Sequence, residues 1–125
     1  DINMPKNEKS SNEIKWIWES LGFTSGRDIE DTSFKIMNQL LEQFKKHDIV
    51  ATEEIAKSLK IESPTVNHHI RNLMETGFLF REKRKIALRG GSLSAAIEEM
   101  RRDSDKMFEK IMEVAKKIED DFDLE

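Results

Sequence analysis

Cysteine is absent from the 125 residues. That removes disulfides, thiolate metal sites and a cysteine nucleophile in one step. No apolar run approaches the ~20 residues that cross a bilayer, and no signal-peptide pattern opens the chain. A soluble, cytoplasmic protein with no membrane partner is expected. Glycine-rich phosphate loops and nucleophile motifs are missing too, and general acid–base chemistry needs a partner group in a pocket. An enzyme is not expected, nor is a cofactor.

What is present is charge, at 37% of residues, with a formal net of −4. The total hides a division. Residues 60–90 hold seven basic side chains (Lys60, Arg71, Arg81, Lys83, Arg84, Lys85, Arg89) against Glu62, Glu75 and Glu82. Residues 92–125 hold six basic against eleven acidic, and residues 1–59 eight against eleven. A positive segment inside an acidic chain marks a local docking surface for an anion, because nearby charges dominate the field at a surface.

Hydrophobic periodicity divides the chain into three parts: 1–31, 32–90 and 91–125. In the first, Ile14, Ile17, Trp18 and Leu21 recur at i, i+3, i+4 and i+7, a short amphipathic helix after a polar arm. Trp16 lies off that stripe, either exposed or against a partner chain. A turn is expected at Gly26 and Asp28–Asp31. In the second part, Thr32 or Ser33 caps a helix carrying Phe34, Met37, Leu40, Leu41 and Phe44, which ends near His47. Thr52 is the expected N-cap of a helix to Leu59, with Glu53 and Glu54 at its positive end. After the break at 60–62, Ser63 is the expected cap and Pro64 the N1 residue of a helix that Gly77 ends. Two short helices across a three-residue break form a helix-turn-helix. Phe78–Glu82 and Lys85–Arg89 then read as strands around a tight turn at Lys83-Arg84, which lacks the favoured Asn-Gly.

The adjacent His68 and His69 could bind metal, act as a catalytic pair or face outward. On a helix Val66, Ile70 and Leu73 share one stripe, and His68 lies opposite it, with Thr65, Arg71 and Asn72 on the outward half. Asn67 and His69 fall on the flanks. Neighbouring histidines point about 100° apart, whereas a helical metal pair prefers i, i+4, so no metal site is expected. The outward side chains can all hydrogen-bond base edges or phosphates. A plain solvated face is the ordinary alternative. It is disfavoured by the preceding helix, by the lack of acids from Thr65 to Met74 and by the basic hairpin that follows. For His69 a half-buried ring bonded to backbone is an equal reading.

Thr52-Glu-Glu-Ile-Ala-Lys-Ser-Leu59, Ser63-Pro-Thr-Val-Asn-His-His-Ile70 and Leu73-Met-Glu-Thr-Gly-Phe-Leu79 resemble the winged helix-turn-helix of ArsR- and MarR-type transcription regulators. The resemblance covers roughly residues 33–90. It implies a mostly α fold with a small β-hairpin wing, and a sequence-specific double-stranded DNA-binding regulator acting as a homodimeric repressor. Thr65, Asn67, His68 and Arg71 would face the major groove, with Ser63, His69 and Asn72 beside them. Arg81, Lys83, Arg84 and Lys85 would contact the backbone or minor groove. The chain departs from the family in lacking both the cysteine motif and the C-terminal Asp/His pattern of its metal-sensing members, so metal sensing is not expected.

In the third part Ser92 caps a segment free of Gly and Pro to Glu125. Leu93, Ile97, Met100, Ser104, Met107, Ile111, Val114 and Ile118 are spaced 4, 3, 4, 3, 4, 3, 4, a heptad seam interrupted at Ser104. A helix of about 28 residues is roughly 40 Å long, too long to bury against so small a domain. Its seven apolar positions are read as a dimer interface, parallel or antiparallel. Each buried Leu or Ile is worth ~1.5–3 kcal/mol, against an association cost of about 4–15 kcal/mol. The alternative is a helix folded back on Ile14, Trp18 and Phe34. Two copies would offer recognition helices to major grooves about 34 Å apart. Two other uses stay open: a protein–protein module working through the heptad helix, and an apolar effector held between the Trp16/Trp18 helix and the long helix. For those aromatics a place in the core or at the dimer interface is the stronger expectation.

Overall fold

The computed structural model describes residues 10–23 and 32–123. The turn expected around Gly26 and Asp28–Asp31 lies outside them. The described chain is mostly helical, with a small three-stranded antiparallel sheet and a long C-terminal helix. In order come α1 (Ser10–Ser20), α2 (Thr32–Phe44), β1 (Val50–Ala51), α3 (Thr52–Leu59), α4 (Ser63–Glu75), β2 (Leu79–Glu82), β3 (Lys85–Leu88), a 3-10 turn at Arg89–Gly91, and α5 (Leu93–Phe122).

The core collects the stripe that periodicity picks out of each helix. Ile36, Met37 and Leu40 of α2, Ile55 of α3, and Val66, Ile70 and Leu73 of α4 are all buried. The hairpin adds Phe78, Leu79 and Ile86. Trp18 belongs to this same core. Its ring lies 4.6 Å from Phe23 and 6.5 Å from Phe78, centroid to centroid, in edge-to-face contacts. Its indole Nε1 donates to Ser33 Oγ at 3.1 Å. Ser33 is therefore a buried partner of Trp18, not a helix cap. Trp16, off the stripe, is half-buried.

Two further expected caps, Thr52 and Ser63, lie one residue inside their helices. Ala51 precedes α3 and Glu62 precedes α4, both in extended backbone and neither with a side-chain cap bond. Thr52 is the first helical residue and turns inward, 7% exposed. Ser63 likewise opens its helix, with Pro64 in the first turn, where its missing N–H costs nothing. The helix ends are better matched to expectation. Gly77 sits at φ +85, Phe78 N donates to Leu73 O and Gly77 N to Met74 O. These are the two bonds of a Schellman ending. Lys60, at φ 55, closes α3 in the same manner, with Ile61 N donating to Ala56 O.

β2 and β3 pair with Glu82 opposite Lys85, so the turn is Lys83-Arg84 as expected, and Lys83 takes the left-handed conformation at φ 59. The third strand is an addition. Val50 pairs with Ile86 and Ala51 with Lys85, which makes β3 the central strand. Two residues are too few for a period of two to register.

Ser92 caps α5, its hydroxyl accepting from Ala95 N at 3.1 Å. Here the seam divides. Leu93, Ile97 and Met100, expected at a dimer interface, are partly buried against the chain's own core, and Ala96 is fully buried beside them. From Arg101 to Asp123 every side chain except Ala115 is exposed. The folded-back arrangement thus holds for two turns only.

Candidate nucleic-acid interface

α4 is held by its buried stripe: Val66 and Ile70 are 0% exposed and Leu73 is 3% exposed. That anchoring fixes the opposite face. Thr65, His68, Arg71 and Asn72 are exposed, and Asn67 and His69 are half-buried on the flanks, as the helical projection requires. The His68 and His69 rings stand 5.5 Å apart, inclined at 70°. Among the described residues there is no cluster of three or more His, Cys, Asp or Glu that could hold a metal ion.

The hairpin brings its cations to this face. Asn67 and Arg71 of α4, Arg81 of β2 and Lys83 and Arg84 of the turn line one concavity of about 370 Å³, backed by Thr52 and Glu53 at the start of α3. Four cationic side chains and one carboxylate therefore share a recess. Low-dielectric walls focus the field of such a recess on the solvent side, favouring an extended anion. Phosphate oxygens suit arginine forks and mobile lysines, while Asn67 adds an amide able to donate and accept.

Not all the expected site residues converge. Lys85 is exposed but starts β3 opposite Glu82, outside the concavity. Ser63 lines a separate shallow depression with Glu53, Glu54, Lys57 and Glu62, where carboxylates outnumber cations. The sequence does not mark Thr52 and Glu53 as part of this recess. Their place follows from β1, whose Ala51 pairs with Lys85 and so brings the start of α3 beside the hairpin turn.

Arg89, the seventh basic residue of the positive segment, faces elsewhere. Its guanidinium donates to Gly77 O at 3.4 Å and to Asp103 Oδ1 at 3.3 Å, and lies 3.5 Å from Glu99. Hydrogen bonding to Asp103 raises its pKa above the ordinary arginine value, and the same bond lowers the Asp103 carboxyl below its own. Arg89 thus ties the end of α4 to α5. Its charge is taken up within the chain.

Between α1 and the start of α5, where an apolar effector was one option, the space lined by Ile14, Trp18, Phe78 and Leu93 amounts to about 10 Å³. That is room for one water at most. A wider apolar groove of about 610 Å³ runs between α2 and the hairpin, lined by Leu41, Phe44, Phe80, Leu88 and Leu93 among others. Among the described residues no helix is long and apolar enough to cross a membrane.

No family model, curated protein or solved structure matches this chain.

Proposed function

We propose that the chain is a sequence-specific double-stranded DNA-binding transcription regulator, with residues 32–90 forming a winged helix-turn-helix. In this reading α4 enters the major groove and the β2–β3 hairpin is the wing. The observation that carries it is the shared concavity, in which Asn67 and Arg71 of one helix meet Arg81, Lys83 and Arg84 of a hairpin. A helix beside a cationic hairpin suits a groove flanked by phosphates. The resemblance to ArsR- and MarR-type regulators supports the same assignment. Thr65, Asn67, His68 and Arg71 read base edges, and the turn residues hold the backbone. The protein works by binding and not by catalysis, as a homodimer that occludes a promoter. An apolar effector, for such a regulator, would occupy the groove between α2 and the hairpin.

The test is a gel shift on sites selected from random duplex DNA, comparing the parent chain with the double variant Lys83→Ala/Arg84→Ala. Each wing residue that neutralises a phosphate releases about one counterion. The double variant removes four such contacts per dimer and should therefore flatten the log K against log[salt] slope by roughly 3–4 from a parent value of about −5 to −9. An unchanged slope, or selection that enriches no sequence, would overturn the reading.

A second reading has its own observation. Large apolar side chains from Met107 to Phe122 are exposed, which suits a protein–protein module working through α5. Tight association with an unrelated protein, together with a flat response to DNA at low salt, would favour it.

A further inference from the structure

Beyond Met100, α5 runs out from the core with seven large apolar side chains between Met107 and Phe122, each 44% to 71% exposed. At on the order of 100 Å² apiece they leave roughly 700 Å² of apolar surface uncovered, where aromatic side chains alone bury 150–250 Å² each. Ordinary monomers show less in one patch. It is close to the share of about 800 Å² that one partner brings to a standard interface. We infer that the occupant is the same segment of a second copy, running antiparallel, with Met107 facing the second copy's Ile118 and Ile111 facing its Val114. The inference rests on the dimeric regulator proposed above, and adds the direction and register of its pairing.

The direction follows from the edges of the seam. One edge carries Arg101, Phe108, Ala115 and Phe122 at seven-residue intervals, and the other carries Asp103, Lys110 and Lys117. Parallel helices set unlike edges together, so Phe108 and Phe122 would face the charged edge. Antiparallel helices set like edges together. In the register given, Phe108 then meets the second copy's Ala115, large against small, and Arg101 meets its Phe122, a cation over a ring. On the other edge the exposed Lys110 meets its Lys117, a like-charge contact that both long side chains relieve by turning to solvent. Each contact repeats through the two-fold axis.

The helix ends agree. Glu119, Asp120, Asp121 and Asp123 close α5. In a parallel pair this cluster would lie beside its own copy, a like-charge juxtaposition that disfavours the arrangement. In an antiparallel pair it lies beside residues 101–106, where Arg101, Arg102 and Lys106 outnumber Asp103 and Asp105. Arg101 and Arg102 also pair with Glu98 and Glu99 of their own helix but stay 70% and 63% exposed. The register also sets the span. Its centre falls between residues 112 and 113, about eleven and a half residues past Arg101 on each helix, which separates the points where the two helices leave their cores by about 35 Å at 1.5 Å per residue. One turn of DNA repeats at about 34 Å.

Because the chain has no cysteine, thiol pairing reads the register without background. The variants Met107→Cys and Ile118→Cys, both at exposed positions, are oxidised separately and as a mixture, without DNA, with circular dichroism confirming that each stays helical. A disulfide needs Cα atoms within about 7 Å. In the antiparallel register identical positions are about 16 Å apart along the axis. Each variant alone should stay monomeric on a non-reducing gel, and the mixture should give a covalent dimer joining residue 107 to 118. Dimers from each variant alone would mean parallel pairing and overturn the inference. No covalent dimer in any sample would mean that a second copy does not cover this face, which overturns it as well. A positive result with no DNA binding would leave the register standing while removing the regulator reading.

Discussion

The two ends of α5 obey one spacing rule and meet opposite fates. Leu93, Ile97 and Met100 repeat at 4 and 3 residues and pack on the chain's own core. Met107, Ile111, Val114 and Ile118 repeat in the same way and face solvent. Periodicity thus specifies which side of a helix is apolar but not what covers it. The cover is decided by the first residue past the domain's edge. Arg101 is that residue, and beyond it the described residues offer no further core.

The sharpest way to break this comparison is to truncate one residue from each half. Ile97→Ala should lower unfolding free energy by roughly 1–3 kcal/mol, a part of the 2–5 kcal/mol that full burial would give. Ile118→Ala should stay within about 0.5 kcal/mol in urea titrations at concentrations too low for association. Equal losses would show that both halves are covered within one chain.

A smaller effect is expected at the joint between the halves. An added Cβ at Gly77 would come 2.6 Å from Arg89 Nη1, and the residue already sits at φ +85. Gly77→Ala should cost about 1–2 kcal/mol through left-handed strain and should displace the guanidinium. A neutral result would show that the Arg89 contact bends aside freely.

The smallest effect concerns pH. The Asp103 carboxyl is held below its ordinary pKa, first by the hydrogen bond from Arg89 and then by the coulombic pull of Arg89 and Lys106. A depressed folded pKa means that the contribution is complete above the unfolded carboxylate pKa and fades as pH falls through the lower folded value. Between about pH 5 and 7, where both states are ionised, its share of stability should be flat. Asp103→Asn should remove only the acid-side share, giving a curve less steep than the parent's below pH 4. Parallel curves would mean that the Arg89 bond adds nothing to folding, as with many exposed ion pairs.

Much of this arrangement was legible in the sequence because it depends on local rules. The inward stripe of α4 is a spacing. The end at Gly77 follows from a glycine before a hydrophobic residue, the start at Ser92 from a serine before an apolar run, and the Lys83-Arg84 turn from two flanking strands. The rest depends on partners distant in sequence. Thr52 looks like a cap until the core takes its side chain, and Ser33 until Trp18 donates to it. β1 is too short to show a pattern. Arg89 counts towards the positive segment until Asp103, fourteen residues on, claims it. The width of the exposed α5 face was also under-read. A strict 4-3 count passes over Phe108, Met112 and Phe122, which lie beside the seam and not on it.

The Arg89 bridge has a mechanical consequence. Past Met100 the long helix is a rod about 33 Å in length, seated at one end by the packing of Leu93, Ala96, Ile97 and Met100 and by the Arg89 guanidinium between Glu99 and Asp103. A tilt of about 10° at that pivot sweeps Phe122 through about 6 Å, enough to shift a contact by one helical turn. A small change in that seat is thereby magnified at the far tip, and the aim of the rod is governed from its base.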